Sequence, residues 1–102
     1  YLSYKKIPFI LLSNSNQIVN VMKILNIDDN EDDRYFFKKA LLSSSLDATL
    51  ITASDELSGL LCMEKESPDC IFLDYHLPGT NGLEILQKLR NMGNTIPIIM
   101  LT

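Results

Sequence analysis

The feature that most constrains the fold of this chain is the alternation of short apolar runs with segments of helical periodicity. Four runs, at residues 24–27, 48–52, 70–73 and 96–101, are separated by three segments whose apolar residues recur every three or four positions. Apolar runs of four to eight residues are typical of buried strands, and the three-to-four spacing is typical of helices with one buried side. The order β-α-β-α-β-α-β predicts an α/β fold, with a parallel sheet covered by helices on both faces.

Local signals predict where the helices begin and end. Asn30 is the predicted N-cap of the first helix, and Ser54 that of the second, which ends at Ser67 and Pro68. Asp32 and Asp33 fill a first turn in which the helix dipole favours acids, and Arg34 is interpreted as a surface residue or a local ion-pair partner. The apolar residues predicted to face the sheet are Phe36, Phe37, Ala40 and Leu41 in the first helix, Leu57, Leu60 and Leu61 in the second, and Leu83, Ile85, Leu86 and Leu89 in the third.

Composition excludes several classes of function. The 102 residues are enough for one domain, and the net charge of -4, without a basic stripe, argues against direct contact with nucleic acid. The apolar run at residues 9–12 is too short to cross a membrane. Cys62 and Cys70 are predicted to be buried, reduced thiols, and the single histidine, His76, makes a zinc site improbable. These features predict a cytoplasmic protein.

Residues 1–22 do not fit the alternating pattern. Residues 7–12 are apolar enough for an edge strand, but the segment could equally be upstream sequence outside the domain. We therefore place the domain at residues 23–102 and leave both interpretations of the first 22 residues open.

Oxygen-bearing side chains follow three of the four predicted strands. Asp28 and Asp29 follow the first, Asp74 the third and Thr102 the fourth. Because ligands of open parallel sheets bind at the carboxyl ends of the strands, these residues converge if the first and third strands are neighbours. Clustered carboxylates repel one another, and a hard cation such as Mg²⁺ relieves that repulsion. Asp74 is then a candidate nucleophile for phosphoryl transfer, and Thr102 a donor to a phosphoryl oxygen.

Three segments of the chain resemble a known family. Residues 24–34 read ILNIDDNEDDR, residues 72–84 read FLDYHLPGTNGLE and residues 96–102 read IPIIMLT. In this order and spacing they resemble the receiver domains of response regulators in bacterial two-component signalling. The resemblance implies a flavodoxin-like fold with strand order 2-1-3-4-5, which this chain would follow only through the fourth strand. The family's last helix, strand and helix, and the lysine of that strand, would then be missing.

The resemblance also implies roles for individual residues. Asp74 matches the phosphoacceptor, and Asp28 and Asp29 match the metal-binding acidic pair. The backbone carbonyl of His76 would be a further Mg²⁺ ligand, and Thr102 matches the hydroxyl that moves toward the phosphoryl group. The phosphoryl donor would be a phosphohistidine on a sensor histidine kinase or a histidine phosphotransfer protein. The domain would be a conformational switch rather than an enzyme, acting on an output domain or partner that the sequence does not identify.

Two other functions remain open at this point. A degenerate receiver could bind partners without being phosphorylated. An aspartate-nucleophile phosphatase of the haloacid-dehalogenase type would need an acid-base aspartate two residues after Asp74, a position that His76 occupies here.

Overall fold

A computed structural model describes residues 10–12, 18–20 and 22–102. The first two strands, β1 (Ile10–Leu12) and β2 (Ile18–Asn20), pair antiparallel with each other. The remaining elements in chain order are β3 (Met22–Ile27), α1 (Glu31–Ser43), β4 (Ala48–Ala53), α2 (Glu56–Glu66), β5 (Cys70–Asp74), β6 (His76–Leu77), β7 (Thr80–Asn81), α3 (Gly82–Asn91) and β8 (Ile98–Leu101).

Within the described residues, the main sheet has four parallel strands in the order β4-β3-β5-β8. Counted along the chain, this is the order 2-1-3-4, so the predicted flavodoxin-like α/β fold is confirmed over the four strands described. β3 lies between β4 and β5, with Ile27 in register with Ala53 on one side and Leu73 on the other. The carboxyl ends of β3 and β5, the first and third strands of this sheet in chain order, are therefore adjacent.

Helices cover both faces of the sheet. The ring of Phe37 in α1 lies 4.9 Å from that of Phe72 in β5, whereas Gly59 of α2 lies against the side chain of Ile27 on the opposite face. Successive residues of a strand point to opposite faces, which separates these two sets of contacts. The core residues on the face of α2 and α3 include Leu25, Ile27, Ile71, Leu73, Ile85, Leu89 and Ile98.

Only some of the helix residues that were predicted to face the sheet are buried against it. Ile85 and Leu89 of α3 are buried as predicted, but Leu83 is 46% exposed. In α2 the side facing the sheet carries Gly59 and Met63, since the glycine allows close approach to Ile27. Leu57 and Leu61 are exposed, so their predicted burial is wrong.

Helix α1 has no fully buried residue. Phe37 and Leu41 are half-buried, whereas Phe36 and Ala40 are exposed, contrary to the prediction. The periodicity identifies one side of a helix, but only the part of that side directly over a strand is covered. In the described residues α1 lies alone on its face, so no neighbouring helix covers the rest.

The helix ends follow their local signals with one exception. Asn30 caps α1 as predicted, accepting a hydrogen bond from the Asp33 amide at 2.9 Å. The prediction of Ser54 as the cap of α2 is wrong, because Asp55 is the N-cap and forms a reciprocal pair of hydrogen bonds with Ser58. α2 ends as predicted, with Ser67 in the left-handed region at φ 50°.

The two cysteines are free thiols, as predicted, but both are half-buried rather than buried. Burial raises the pKa of Cys70 to about 11, with a smaller contribution from the charge of Asp69. Cys70 is therefore a neutral thiol at physiological pH.

The structure describes only part of the segment to which the N-terminal predictions apply. Residues 7–9 of the proposed edge strand lie outside the described residues, and Ile10–Leu12 pair with Ile18–Asn20 rather than with β4 or β8. The domain boundary at residue 23 stays a prediction. Among the described residues, no helix has both the length and the apolar character needed to span a membrane.

Candidate functional site

Three carboxylates converge at the carboxyl end of the sheet. Asp28 and Asp29 directly follow β3, and Asp74 is the last residue of β5, the adjacent parallel strand. One carboxylate oxygen from each residue lies within 4.8 Å of those of the other two. Asp28 is buried, Asp74 is half-buried and Asp29 is exposed, so the cluster opens to solvent on one side. The predicted convergence of these three side chains is confirmed.

The backbone around Asp28 is held by hydrogen bonds on several sides. Its amide donates to the carbonyl of Ala53 in β4 at 3.0 Å, and its Oδ1 accepts from the amide of Asn30 at 3.0 Å. Its own carbonyl accepts from Nη1 of Arg34 at 2.8 Å. The first acidic residue is thereby tied to the neighbouring strand and to helix α1.

The electrostatic environment favours a bound cation. Burial raises the pKa of Asp28 above its usual value; the hydrogen bond from Asn30 lowers it, and the charges of Asp74, Asp33 and Asp29 raise it further. Within residues 22–102 the salt bridges are Lys23–Glu66 and Lys88–Glu56, so no lysine or arginine of that part forms a salt bridge with the three carboxylates. Oxygen ligands of this kind suit hard divalent cations such as Mg²⁺ and Mn²⁺.

The loop after Asp74 is short and internally bonded. The amide of His76 donates to Oδ1 of Asp74 at 3.3 Å, and the amide of Tyr75 donates to the carbonyl of Leu101 in β8 at 2.8 Å. The amide of Gly82, at the start of α3, donates to the carbonyl of Tyr75 at 2.7 Å. A Cβ on Gly82 would lie 3.0 Å from the carbonyl oxygen of Asp74, so a residue without a side chain permits this close approach.

The other two predicted site residues lie at the same edge of the sheet. Thr102 is exposed and directly follows β8, in which Leu101 is in register with Asp74. His76 is exposed in β6, opposite Asn81 of β7. Their predicted roles, a phosphoryl-binding hydroxyl and a metal-binding backbone carbonyl, stay predictions.

Two residues near the site behave in ways that the sequence analysis did not predict. Arg34 bonds to a main-chain carbonyl instead of lying free at the surface or forming an ion pair. Asn26, taken as part of an apolar strand, is fully buried; its Nδ2 donates to the carbonyl of Phe72 at 3.2 Å, while its Oδ1 has no partner among the described residues. The sequence did contain a signal for this buried amide, because Asn26 interrupts an otherwise apolar run.

Comparison with known proteins identifies the family. The family model of the response regulator receiver domain matches residues 24–102. The chain belongs to this family. Receiver domains are signalling modules of two-component systems, and the recognition made from the three sequence segments is confirmed.

Individual relatives agree with this assignment. The chain is 41% identical over 80 residues to the alkaline phosphatase synthesis transcriptional regulatory protein PhoP of Bacillus subtilis, an alignment covering 78% of this chain and 32% of that protein. It is 35% identical over 81 residues to the response regulator RppA of Synechocystis, covering 79% of this chain and 35% of that protein. The chain thus spans about a third of the length of these curated relatives.

Solved structures of the same fold cover a similar part of this receiver domain. The Mn²⁺-bound form of response regulator Rcp1 is similar with a TM-score of 0.69 and 28% identity, over 79% of this chain and 66% of that one. The chemotaxis protein CheY4 of Vibrio cholerae is similar with a TM-score of 0.68 and 26% identity, over 78% of this chain and 67% of that one.

Proposed function

We propose that this receiver domain accepts a phosphoryl group on Asp74, with Mg²⁺ held by Asp28, Asp29 and Asp74, and acts as a conformational switch. The observation that carries the proposal is the convergence of the three carboxylates within 4.8 Å at the end of adjacent strands. The Mn²⁺-bound relative supports a divalent cation at this kind of site. The carbonyl of His76 is the proposed further ligand.

The chain's own groups have distinct parts in the reaction. A carboxylate oxygen of Asp74 attacks phosphorus while the phosphorus–nitrogen bond of a phosphohistidine breaks, and the departing imidazole nitrogen takes up a proton. A bound Mg²⁺ would neutralise charge on the phosphoryl oxygens. The hydroxyl of Thr102 donates a hydrogen bond to one of these oxygens, and the sheet below excludes water from one side of Asp74. The product is an acyl phosphate on the protein.

The proposed donor is the phosphohistidine of a sensor histidine kinase or histidine phosphotransfer protein. Phosphorylation shifts the equilibrium between two conformations, so the domain works as a switch with slow self-dephosphorylation rather than as a turnover enzyme. We place it in the cytoplasm, where such donors present their phosphohistidines.

The test is to incubate the protein with a small-molecule phosphodonor, with and without Mg²⁺, and to map the modified residue by mass spectrometry. We expect one Mg²⁺-dependent phosphoryl group, on Asp74, that is absent from the Asp74→Asn variant. Asp32→Asn is the matched control, because Asp32 is an exposed acid in the first turn of α1 and lies outside the three-carboxylate cluster.

Each alternative gives a different result in this experiment. No incorporation at all would favour a receiver that binds partners without phosphorylation. Release of many equivalents of phosphate per protein would favour a phosphatase. Equal labelling of the Asp74→Asn variant would contradict the assignment of the acceptor.

A further inference from the structure

Arg34 makes an unusual contact for a cation beside a group of acids. It lies in the first turn of α1, half-buried, after a segment that contains five acidic residues between positions 28 and 33. Its Nη1 donates to the main-chain carbonyl of Asp28 at 2.8 Å. Arg34 forms no salt bridge with the acids of this segment.

This choice of partner has a chemical consequence. A salt bridge from Arg34 would occupy carboxylate oxygens that a metal ion needs, whereas a bond to the carbonyl leaves them free. The rigid, planar guanidinium fixes the direction of its donors, so it orients the group it binds better than a lysine does. Arg34 therefore restrains the residue that supplies a ligand without competing for that ligand.

The Asp28 carbonyl lies in the part of the loop where repulsion between carboxylates favours their separation. Asp28, Asp29 and Asp74 repel one another, and their oxygens lie within 4.8 Å. The bond from Asp28 to Ala53 holds the loop to β4, and the bond from Arg34 holds it to α1. Without the second restraint the loop would gain conformational freedom, which metal binding would then have to remove.

We propose that Arg34 is a positioning residue for the metal site. Its bond to the Asp28 carbonyl holds the carboxylates of Asp28 and Asp29 against Asp74, so that they bind Mg²⁺ together. This role rests on the proposed function, because it assigns Arg34 to the same cation site.

The experiment is a titration of the intact protein with MgCl₂, followed through the backbone amide signals of Asp29 and Asn30 in ¹H–¹⁵N spectra. We expect Arg34→Ala to weaken Mg²⁺ binding about tenfold, the lower end of the range for residues that support metal ligands. Arg34→Lys keeps the charge but not the fixed donor geometry, and we expect it to recover only part of the affinity. Added methylguanidinium should restore binding in Arg34→Ala and have no effect on the parent.

Lys38→Ala is the matched control. Lys38 is an exposed cation of the same helix, so its loss changes the charge of α1 without removing the bond to Asp28. We expect its Mg²⁺ affinity to equal that of the parent. Equal affinities for Arg34→Ala and Lys38→Ala, while the parent binds Mg²⁺, would overturn the positioning role and leave the proposed function intact.

A measurement without metal separates the two proposals. The Asn30 amide donates to Oδ1 of Asp28, so its hydrogen exchange reports how firmly that carboxylate is held. We expect exchange at Asn30 to be faster in Arg34→Ala than in Lys38→Ala. If the parent does not bind Mg²⁺, the proposed function fails, and unchanged exchange at Asn30 would then overturn the positioning role as well. If Arg34→Ala does not fold, the Arg34→Lys titration decides, and parental affinity in that variant would contradict the proposal.

Discussion

Asp28 is nearly fully buried, at 5% exposure, and lies beside two other carboxylates. Burial and the neighbouring charges raise its pKa, so the metal-free folded state binds a proton at Asp28 more tightly than the unfolded state does. The stability that this protonation contributes is present below the ordinary pKa of 3.8 and is lost as the pH rises through the folded-state value. At neutral pH the ionised side chain therefore destabilises the metal-free protein.

We expect Asp28→Asn to be more stable than the parent without metal and less stable than the parent with Mg²⁺. In EDTA at pH 7 we expect it to melt at a higher temperature than the parent, because it removes a buried charge. In Mg²⁺ we expect the parent to be the more stable, since a ligand at a hundredfold excess over Kd stabilises the native state by about 2.7 kcal/mol. Thermal denaturation under both conditions checks this, with Asp32→Asn as the control that responds to Mg²⁺ as the parent does. A lower melting temperature for Asp28→Asn in EDTA would contradict the argument.

Asn26 provides a second test at the level of one side chain. Its amide is fully buried in β3, and Oδ1 has no hydrogen-bond partner in the part of the chain that the structure describes. An unsatisfied buried acceptor costs about 1–3 kcal/mol, more than the single bond from Nδ2 to Phe72 contributes. We expect Asn26→Leu, which has a similar shape, to raise the free energy of unfolding by about 1 kcal/mol in urea denaturation. Asn26→Asp, which buries a charge at the same place, should lower it, and a destabilised Asn26→Leu would indicate that the amide has a partner.

At the level of helices, the N-terminus of α2 offered two candidate N-cap residues. Ser54 and Asp55 are both good capping residues, and they are adjacent. Asp55 is the observed cap because its Oδ1 accepts a hydrogen bond from the Ser58 amide while its own amide donates to Ser58 Oγ. The Asp-x-x-Ser spacing is the signal in the sequence that distinguishes the two. The bonds from Ser58 hold the pKa of Asp55 below its usual value.

This difference gives a direct comparison of two adjacent substitutions. We expect Asp55→Ala to lower the melting temperature and Ser54→Ala to leave it nearly unchanged. The lowered folded-state pKa of Asp55 means that its contribution is present above the ordinary value of 3.8 and is lost as the pH falls through the lower one. The gap between the two variants at neutral pH should therefore close in acid. An equal effect of both substitutions at pH 7 would show that the cap is shared.

The order of the four main-sheet strands and the three helices could be predicted from the sequence, but the short strand pairs β1–β2 and β6–β7 and the depth of burial within each element could not. Strand and helix periods differ, so the alternation was visible without a structure. The apolar periodicity of α2 predicts that Leu57 and Leu61 face the sheet. The residues of α2 that are buried against the sheet are Gly59 and Met63 instead. Periodicity cannot show this rotation, because it depends on the space that a glycine leaves for Ile27.

At the scale of the whole molecule, the sheet has two different edges. β4 ends one side with Thr49 and Thr52 exposed, whereas β8 ends the other with a run of four apolar residues. Among the described residues no strand pairs with the outer side of β8, and Ile99, Met100 and Leu101 are only half-buried. An exposed apolar edge strand is a template for pairing with other chains.

We therefore expect residues 1–102, expressed by themselves, to self-associate as their concentration rises. Ile99→Lys should reduce this association, because a charge on an edge strand opposes pairing. Thr49→Lys, which adds the same charge to the opposite edge, should have little effect. Sedimentation velocity over a range of concentrations measures the difference. A monomeric parent at all concentrations would show that the outer side of β8 is not a pairing surface.

The position of the three-carboxylate cluster could also be predicted, because it follows from topology rather than from packing. Parallel strands end at one edge of the sheet, so Asp28, Asp29 and Asp74 had to meet once β3 and β5 were neighbours. The contact of Arg34 could not be predicted in the same way. It depends on the direction of one side chain in the first turn of α1, which the residue order does not specify.

The separation of the acidic residues along the chain has a consequence for the nascent polypeptide. The ribosome makes Asp28 and Asp29 well before Asp74, and β4 and α2 are complete before β5 begins. Until β5 inserts beside β3, only two of the three carboxylates exist at this edge, and β3 lacks a neighbour on one side. A cation that needs all three ligands can therefore bind only after β5 has joined the sheet, so the ion can select the finished arrangement but cannot guide the assembly of its first half.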